Sequence, residues 1–126
     1  MINVLIVDDS GVMRALLRSI IRSEHFNVIG EAGDGVKALE MTERLKPELV
    51  CLDIEMPEMS GLETLRELKS KHPNLIVVMV TASNAAADVQ DALKGGADGY
   101  ILKPYNVGKV LDTLYNACEK AQARNN

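Results

Sequence analysis

The chain has no tryptophan and only three tyrosines, so it has little to stack on a flat ring cofactor. Cysteine is as scarce. Cys51 sits inside an apolar run and Cys118 in the terminal helical segment, with no CxxC and no histidine at ligand spacing, so both read as small apolar side chains and not as metal ligands. His25 and His72 fall near the ends of helical segments, where exposure is the default, and neither is assigned a function. A basic excess is also missing. Fourteen basic against eighteen acidic residues leave a net charge of −4, which argues against direct nucleic-acid binding through phosphate neutralisation. No apolar stretch reaches the roughly twenty residues that cross a bilayer, and Met1-Ile2-Asn3 carries no basic leader. The expectation is a cytoplasmic protein with no membrane contact. Linkers and low-complexity tracts are absent, and the polar tail from Ala121 to Asn126 is short enough to be a fraying end. With 126 residues, 47% of them hydrophobic, the composition predicts one domain over 1–126 with a substantial core.

What the chain has in abundance is a repeated rhythm. Apolar runs recur at Val4–Val7, Val28–Ile29, Leu49–Leu52, Leu75–Val80 and Tyr100–Leu102, each followed by a helical pattern. The third and fourth are continuously apolar, which suits central parallel strands covered on both faces. In the first helix Val12, Leu16 and Ile20 form a stripe with Met13, Leu17 and Ile21 beside it, and Arg14, Arg18 and Arg22 recur on another face that reads as solvated surface. The last helix has Asn106 as N-cap, then Val107, Val110, Leu111, Leu114 and Cys118 at helical spacing. Pro47 and Pro73 close the second and third helices, and Gly95-Gly96 ends the fourth by allowing positive φ. Right-handed crossovers then predict an α/β, doubly wound, flavodoxin-like (βα)5 sheet of strand order 2-1-3-4-5.

In that order the first and third strands are neighbours, and open α/β sheets bind ligands at the carboxyl ends of their strands. Asp8 and Asp9 follow the first run and Asp53 ends the third, so three carboxylates meet there. Such a group must hold a proton or recruit a cation. Thr81 after the fourth strand and Lys103 after the fifth bring a hydroxyl and an ammonium to the same edge. Oxygen ligands suit a hard divalent cation, and Mg²⁺ is favoured where waters and phosphate oxygens complete the shell, since no ligand-rich Ca²⁺ loop is visible. A carboxylate beside Mg²⁺ can attack a phosphoryl group and form an aspartyl phosphate. Taken singly, each of these residues is also readable as a turn, cap or strand-end residue: Asp8 or Asp9 could cap the first helix, and Tyr100 could fill space between the last two helices.

The segments Val7-Asp8-Asp9-Ser10, Leu52 to Gly61 (LDIEMPEMSG), Val80-Thr81-Ala82 and Tyr100 to Tyr105 (YILKPY) resemble, over the whole chain, the receiver domain of two-component response regulators. The stand-alone length is similar to that of the single-domain regulators of chemotaxis. The resemblance implies Asp53 as phosphoacceptor, Asp9 as a direct Mg²⁺ ligand, Asp8 as a ligand acting mainly through water, and the Glu55 backbone carbonyl as a further ligand. It implies Lys103 as partner of the phosphoryl group, with a cis Lys103-Pro104 bond, Thr81 as the switch hydroxyl, and Tyr100 as an aromatic that moves with it. Met56-Pro57 and Gly61 would shape the loop after Asp53. Glu55 and Ser83 stand where the family varies, at positions that affect how water reaches the phosphoryl group.

By the same resemblance the partners are a sensor histidine kinase or phosphotransfer protein, a downstream target on the face of the fourth helix, fifth strand and fifth helix, and a phosphatase. The chain would catalyse only its own phosphorylation and dephosphorylation, and in that sense is no enzyme. Within the family, a receiver cut from a larger regulator or a phosphorelay intermediate is the alternative. Outside it stand two rivals. A Mg²⁺-dependent phosphatase of the haloacid dehalogenase type places its two aspartates two residues apart, whereas Asp8 and Asp9 are adjacent. A flavodoxin-like redox module would set a flavin phosphate on Asp8-Asp9-Ser10-Gly11, which is acidic.

Overall fold

The computed structural model describes residues 1–126 apart from positions 24, 83, 84, 125 and 126. Strands and helices alternate as β1 (Ile2–Val7), α1 (Gly11–Ile21), β2 (Phe26–Ala32), α2 (Gly35–Leu45), β3 (Leu49–Asp53), α3 (Gly61–Lys71), β4 (Ile76–Thr81), α4 (Ala86–Lys94), β5 (Gly99–Leu102) and α5 (Val107–Arg124). All pairings are parallel and the order is β2-β1-β3-β4-β5, the flavodoxin-like sheet expected.

Alternation along the strands divides the core between the two faces of the sheet. Val4 and Ile6 of β1, Cys51 of β3 and Val78 of β4 join Leu17 and Ile21 of α1 and Val110, Leu114 and Ala117 of α5. Leu5 and Val7, Leu52 and Met79 face the other way, against Ala38 of α2, Leu65 and Leu68 of α3 and Ala92 of α4. Covered on both sides, β3 and β4 are buried throughout, which explains their unbroken apolar runs. The edge strand β2 extends well beyond Val28–Ile29. It takes in Asn27 and Glu31, and its register against β1 shifts between Val4 and Leu5.

Two helix faces differ from expectation. In α1 the buried pair is Leu17 and Ile21, while Val12 is 77% and Leu16 45% exposed. Helical spacing defines a stripe's width, but which flank meets the sheet depends on the packing of α1 against α5 and β2. In α5 the inward face is Val110, Leu114, Ala117 and Ala121, and Val107 is exposed. The helix ends follow the sequence closely. Asn106 accepts from the Lys109 N–H, Pro47 and Pro73 lie just beyond α2 and α3, and Gly96 has φ 94° after α4.

Candidate functional site

The parallel register brings the polar groups together. Val7 pairs with Leu52 and Asp53 with Val80, so the residues that end β1, β3 and β4 emerge at one edge. Thr81 pairs with Leu102, and the Lys103 N–H donates to the Thr81 carbonyl at 2.8 Å, which adds the end of β5. Each of Asp8, Asp9 and Asp53 offers a carboxylate oxygen, and these oxygens lie within 4.8 Å of one another. Asp8 and Asp53 are buried and Asp9 is exposed.

Ser10 is the N-cap of α1, its hydroxyl accepting from the Met13 N–H. Neither acid is therefore taken up as a cap. Asp8 instead accepts from the Ser10 N–H at 2.9 Å with one oxygen and from the Lys103 ammonium at 2.9 Å with the other. The same ammonium lies 3.6 Å from Asp53. Burial of Lys103 acts to lower its pKa, but its bond to Asp8 and the charges of Asp53 and Asp8 outweigh that and raise it, so it stays a cation. Asp53 moves the other way for a carboxylate. Burial above all, and then the charge of Asp8, push it up to about 6, against the opposing pull of Lys103 and the Glu55 N–H.

One lysine thus faces three acids, and the deficit of positive charge sits on the buried Asp53. An all-oxygen donor set of this spacing fits a hard divalent cation, and a group such as Mg²⁺ would relieve the repulsion that Lys103 leaves. The donors lie at the mouth of the sheet edge, with Asp9 open to solvent.

Thr81 is fully buried, and its hydroxyl donates to the Glu55 carboxylate at 3.0 Å. Tyr100 is half-buried and hydrogen-bonded to Thr81. Burial raises its phenol pKa, as does the nearby Asp88, and the bond to Thr81 opposes them. The Lys103-Pro104 peptide is cis. Ser83 lies outside the described residues. Gly61 serves the loop as expected: its N–H donates to the Ile54 carbonyl, and a Cβ there would fall 2.0 Å from the Asp53 carbonyl oxygen. Glu58, in the same loop, has φ 65°.

Three groups near the site were not expected from the sequence. Arg14 is not a solvated member of an arginine row: its guanidinium donates to the Asp8 carbonyl at 2.7 Å and to Glu31 of β2 at 3.0 Å, and Arg18 pairs with the same Glu31 at 2.8 Å. Arg22 does stay exposed. Tyr105 places a buried hydroxyl near Asp8 and Asp53, and burial together with those charges pushes its phenol up. The Glu55 side chain, as distinct from its backbone, engages Thr81. The position of Arg14 one turn beyond Asp8-Asp9 is a usable signal for a positioning cation. The other two depend on contacts that sequence spacing does not encode.

Known proteins give a concordant picture. A chemotaxis protein CheY of Listeria monocytogenes is 40% identical over 119 residues, 94% of this chain and 100% of the relative. One from Thermotoga maritima is 40% identical over 111 residues, 88% of this chain and 92% of the relative. Among solved structures, a CheY-like receiver domain protein of Methanospirillum hungatei superimposes with TM-score 0.89 at 26% identity, covering 98% of both chains. The CheX-CheY-BeF₃-Mg²⁺ complex of Borrelia burgdorferi matches with TM-score 0.86 at 37% identity, covering 90% of this chain and 86% of that one. The family profile of the response regulator receiver domain matches residues 4–115, and the chain belongs to that family.

Proposed function

We propose that residues 1–126 work as one receiver domain, a cytoplasmic switch turned on by phosphorylation of Asp53. The observation that carries this is the Lys103 ammonium held between Asp8 and Asp53, on an edge where three carboxylates converge. Mg²⁺, when bound, supplies charge neutralisation for the phosphoryl oxygens and for the acids. Asp9 would hold it directly, Asp8 mainly through water, and Asp53 and the Glu55 backbone carbonyl would complete the protein's share. A partner histidine kinase or phosphotransfer protein presents phosphohistidine. An Asp53 oxygen bonds to phosphorus as the phosphorus–nitrogen bond breaks and the imidazole leaves with that electron pair. Lys103 pairs with the transferred group, and Thr81 gives it a hydrogen bond.

Output passes by binding. Tyr100 touches Thr81 and borders a cavity of about 310 Å³ with Leu102, Pro104, Lys109 and Val110, beside the exposed Val107. The cavity is lined by β5, the loop after it and α5, and Tyr100 also lies near Asp88 of α4; we assign the downstream target to the face of α4, β5 and α5. The chain then modifies itself and turns over no external substrate, and a phosphatase partner would reset it. No described helix is long and apolar enough to cross a membrane, and the balance of charge gives no reason to invoke nucleic acid. Its relatives' names make chemotaxis the pathway to test first. Asp53→Asn should abolish phosphotransfer from a cognate kinase, and stoichiometric labelling of that variant at neutral pH would mean another residue is the acceptor.

A further inference from the structure

The hydroxyl that the switch needs is already engaged. Thr81 is fully buried at the end of β4, and its proton points to a Glu55 oxygen 3.0 Å away, at the start of the loop after β3. Glu55 itself is exposed, so its carboxylate covers the hydroxyl from the solvent side. A carboxylate oxygen accepts, so in the resting arrangement the Thr81 proton is directed to Glu55. A phosphoryl group on Asp53 would need that same proton. One hydroxyl cannot donate to both anions at once.

We propose that the Glu55 side chain is a latch on Thr81: it holds the hydroxyl in the resting arrangement and sets how much stabilisation a phosphoryl group must supply to draw Thr81 away. This rests on the reading of Asp53 as phosphoacceptor and adds a role for Glu55 distinct from its backbone carbonyl. Glu55 is a positioning residue here, acting through Thr81 and, by way of Thr81, on Tyr100. A ligand shifts such an equilibrium only by its differential affinity for the two states, so weakening the resting contact lowers the ligand concentration needed. A charge-assisted hydrogen bond of this kind corresponds to about tenfold or more in an equilibrium constant.

The test measures half-saturation by BeF₃⁻ at fixed, saturating Mg²⁺, from the ¹⁹F signal of the bound fluoroberyllate. It compares wild type, Glu55→Ala and Glu55→Gln, each with Thr81 and with Thr81→Ala. With Thr81 present, Glu55→Ala should lower the half-saturating concentration about tenfold. Glu55→Gln should lie between, because its amide oxygen still accepts. In the Thr81→Ala background both effects should shrink to within about twofold, since the cycle isolates the contact. Equal gains in both backgrounds would trace the effect to removal of a negative charge and overturn the latch alone. No gain from Glu55→Ala would also overturn it. Absence of any bound fluoroberyllate signal in wild type would remove the phosphoacceptor reading together with the latch.

Discussion

Asp53 shows how burial and like charge shift the ionisation of one side chain. Its pKa rises from an ordinary 3.8 to about 6, so in the folded protein without a divalent cation the ionised form is penalised. The sign follows directly. The cost is absent below the ordinary value, grows as pH rises toward 6 and is complete above it. Asp53→Asn is therefore expected to stabilise the metal-free protein at pH 8 by on the order of 2 kcal/mol, with no gain at pH 4. Added Mg²⁺ should erase the difference by stabilising wild type alone, and urea titrations at the two pH values would show it. The residues of this edge were legible because each stands at the end of an apolar run. Arg14 and the Glu55 side chain were not, since their partners Glu31 and Thr81 lie 17 and 26 residues away.

At the level of elements, the continuous runs of β3 and β4 read correctly because helices cover both faces, and the edge strand β2 read short because polar residues interrupt it. For α1 the stripe was visible but not its orientation, as the exposed Val12 and Leu16 show. The junction of β3 and α3 carries the sharpest constraint on the site. Gly61 lies so close to the strand end that a methyl would strike the Asp53 carbonyl oxygen at 2.0 Å, and the obstacle is backbone, which cannot step aside as a side chain would. Gly61→Ala should cost about 3 kcal/mol in denaturant melts and displace the Asp53 carboxylate, and, if Asp53 is the acceptor we propose, lower phosphorylation as well. Loss of stability with full phosphorylation would mean that the loop does not position Asp53.

In the molecule as a whole, the two ends of the sheet do different work. The carboxyl edge gathers the acids and Lys103, whereas the opposite edge is held by Asp98, just before β5. Buried Asp98 accepts from the Val77 N–H and the Lys69 ammonium, both at 2.9 Å, and from Arg124 of α5, so it ties α3, β4 and α5 together. Burial would raise its pKa, but the bonds from Arg124, Lys69 and Val77 outweigh that and hold it below the ordinary 3.8. Its contribution is thus complete above that value and lost as pH falls below it. Asp98→Asn should cost about 2–3 kcal/mol at pH 7 and flatten the acid limb of the stability curve, while leaving phosphorylation of the folded fraction intact.

The central claim concerns the other edge: that Asp53 accepts a phosphoryl group with help from a divalent cation held by its neighbouring acids. The direct measurement is incubation with a small-molecule phosphodonor, with Mg²⁺ or with excess EDTA, followed by borohydride trapping of the acyl phosphate and peptide mass spectrometry. The trapped product should appear at Asp53 alone and only with Mg²⁺. A product at another residue, or equal trapping in EDTA, would contradict the account.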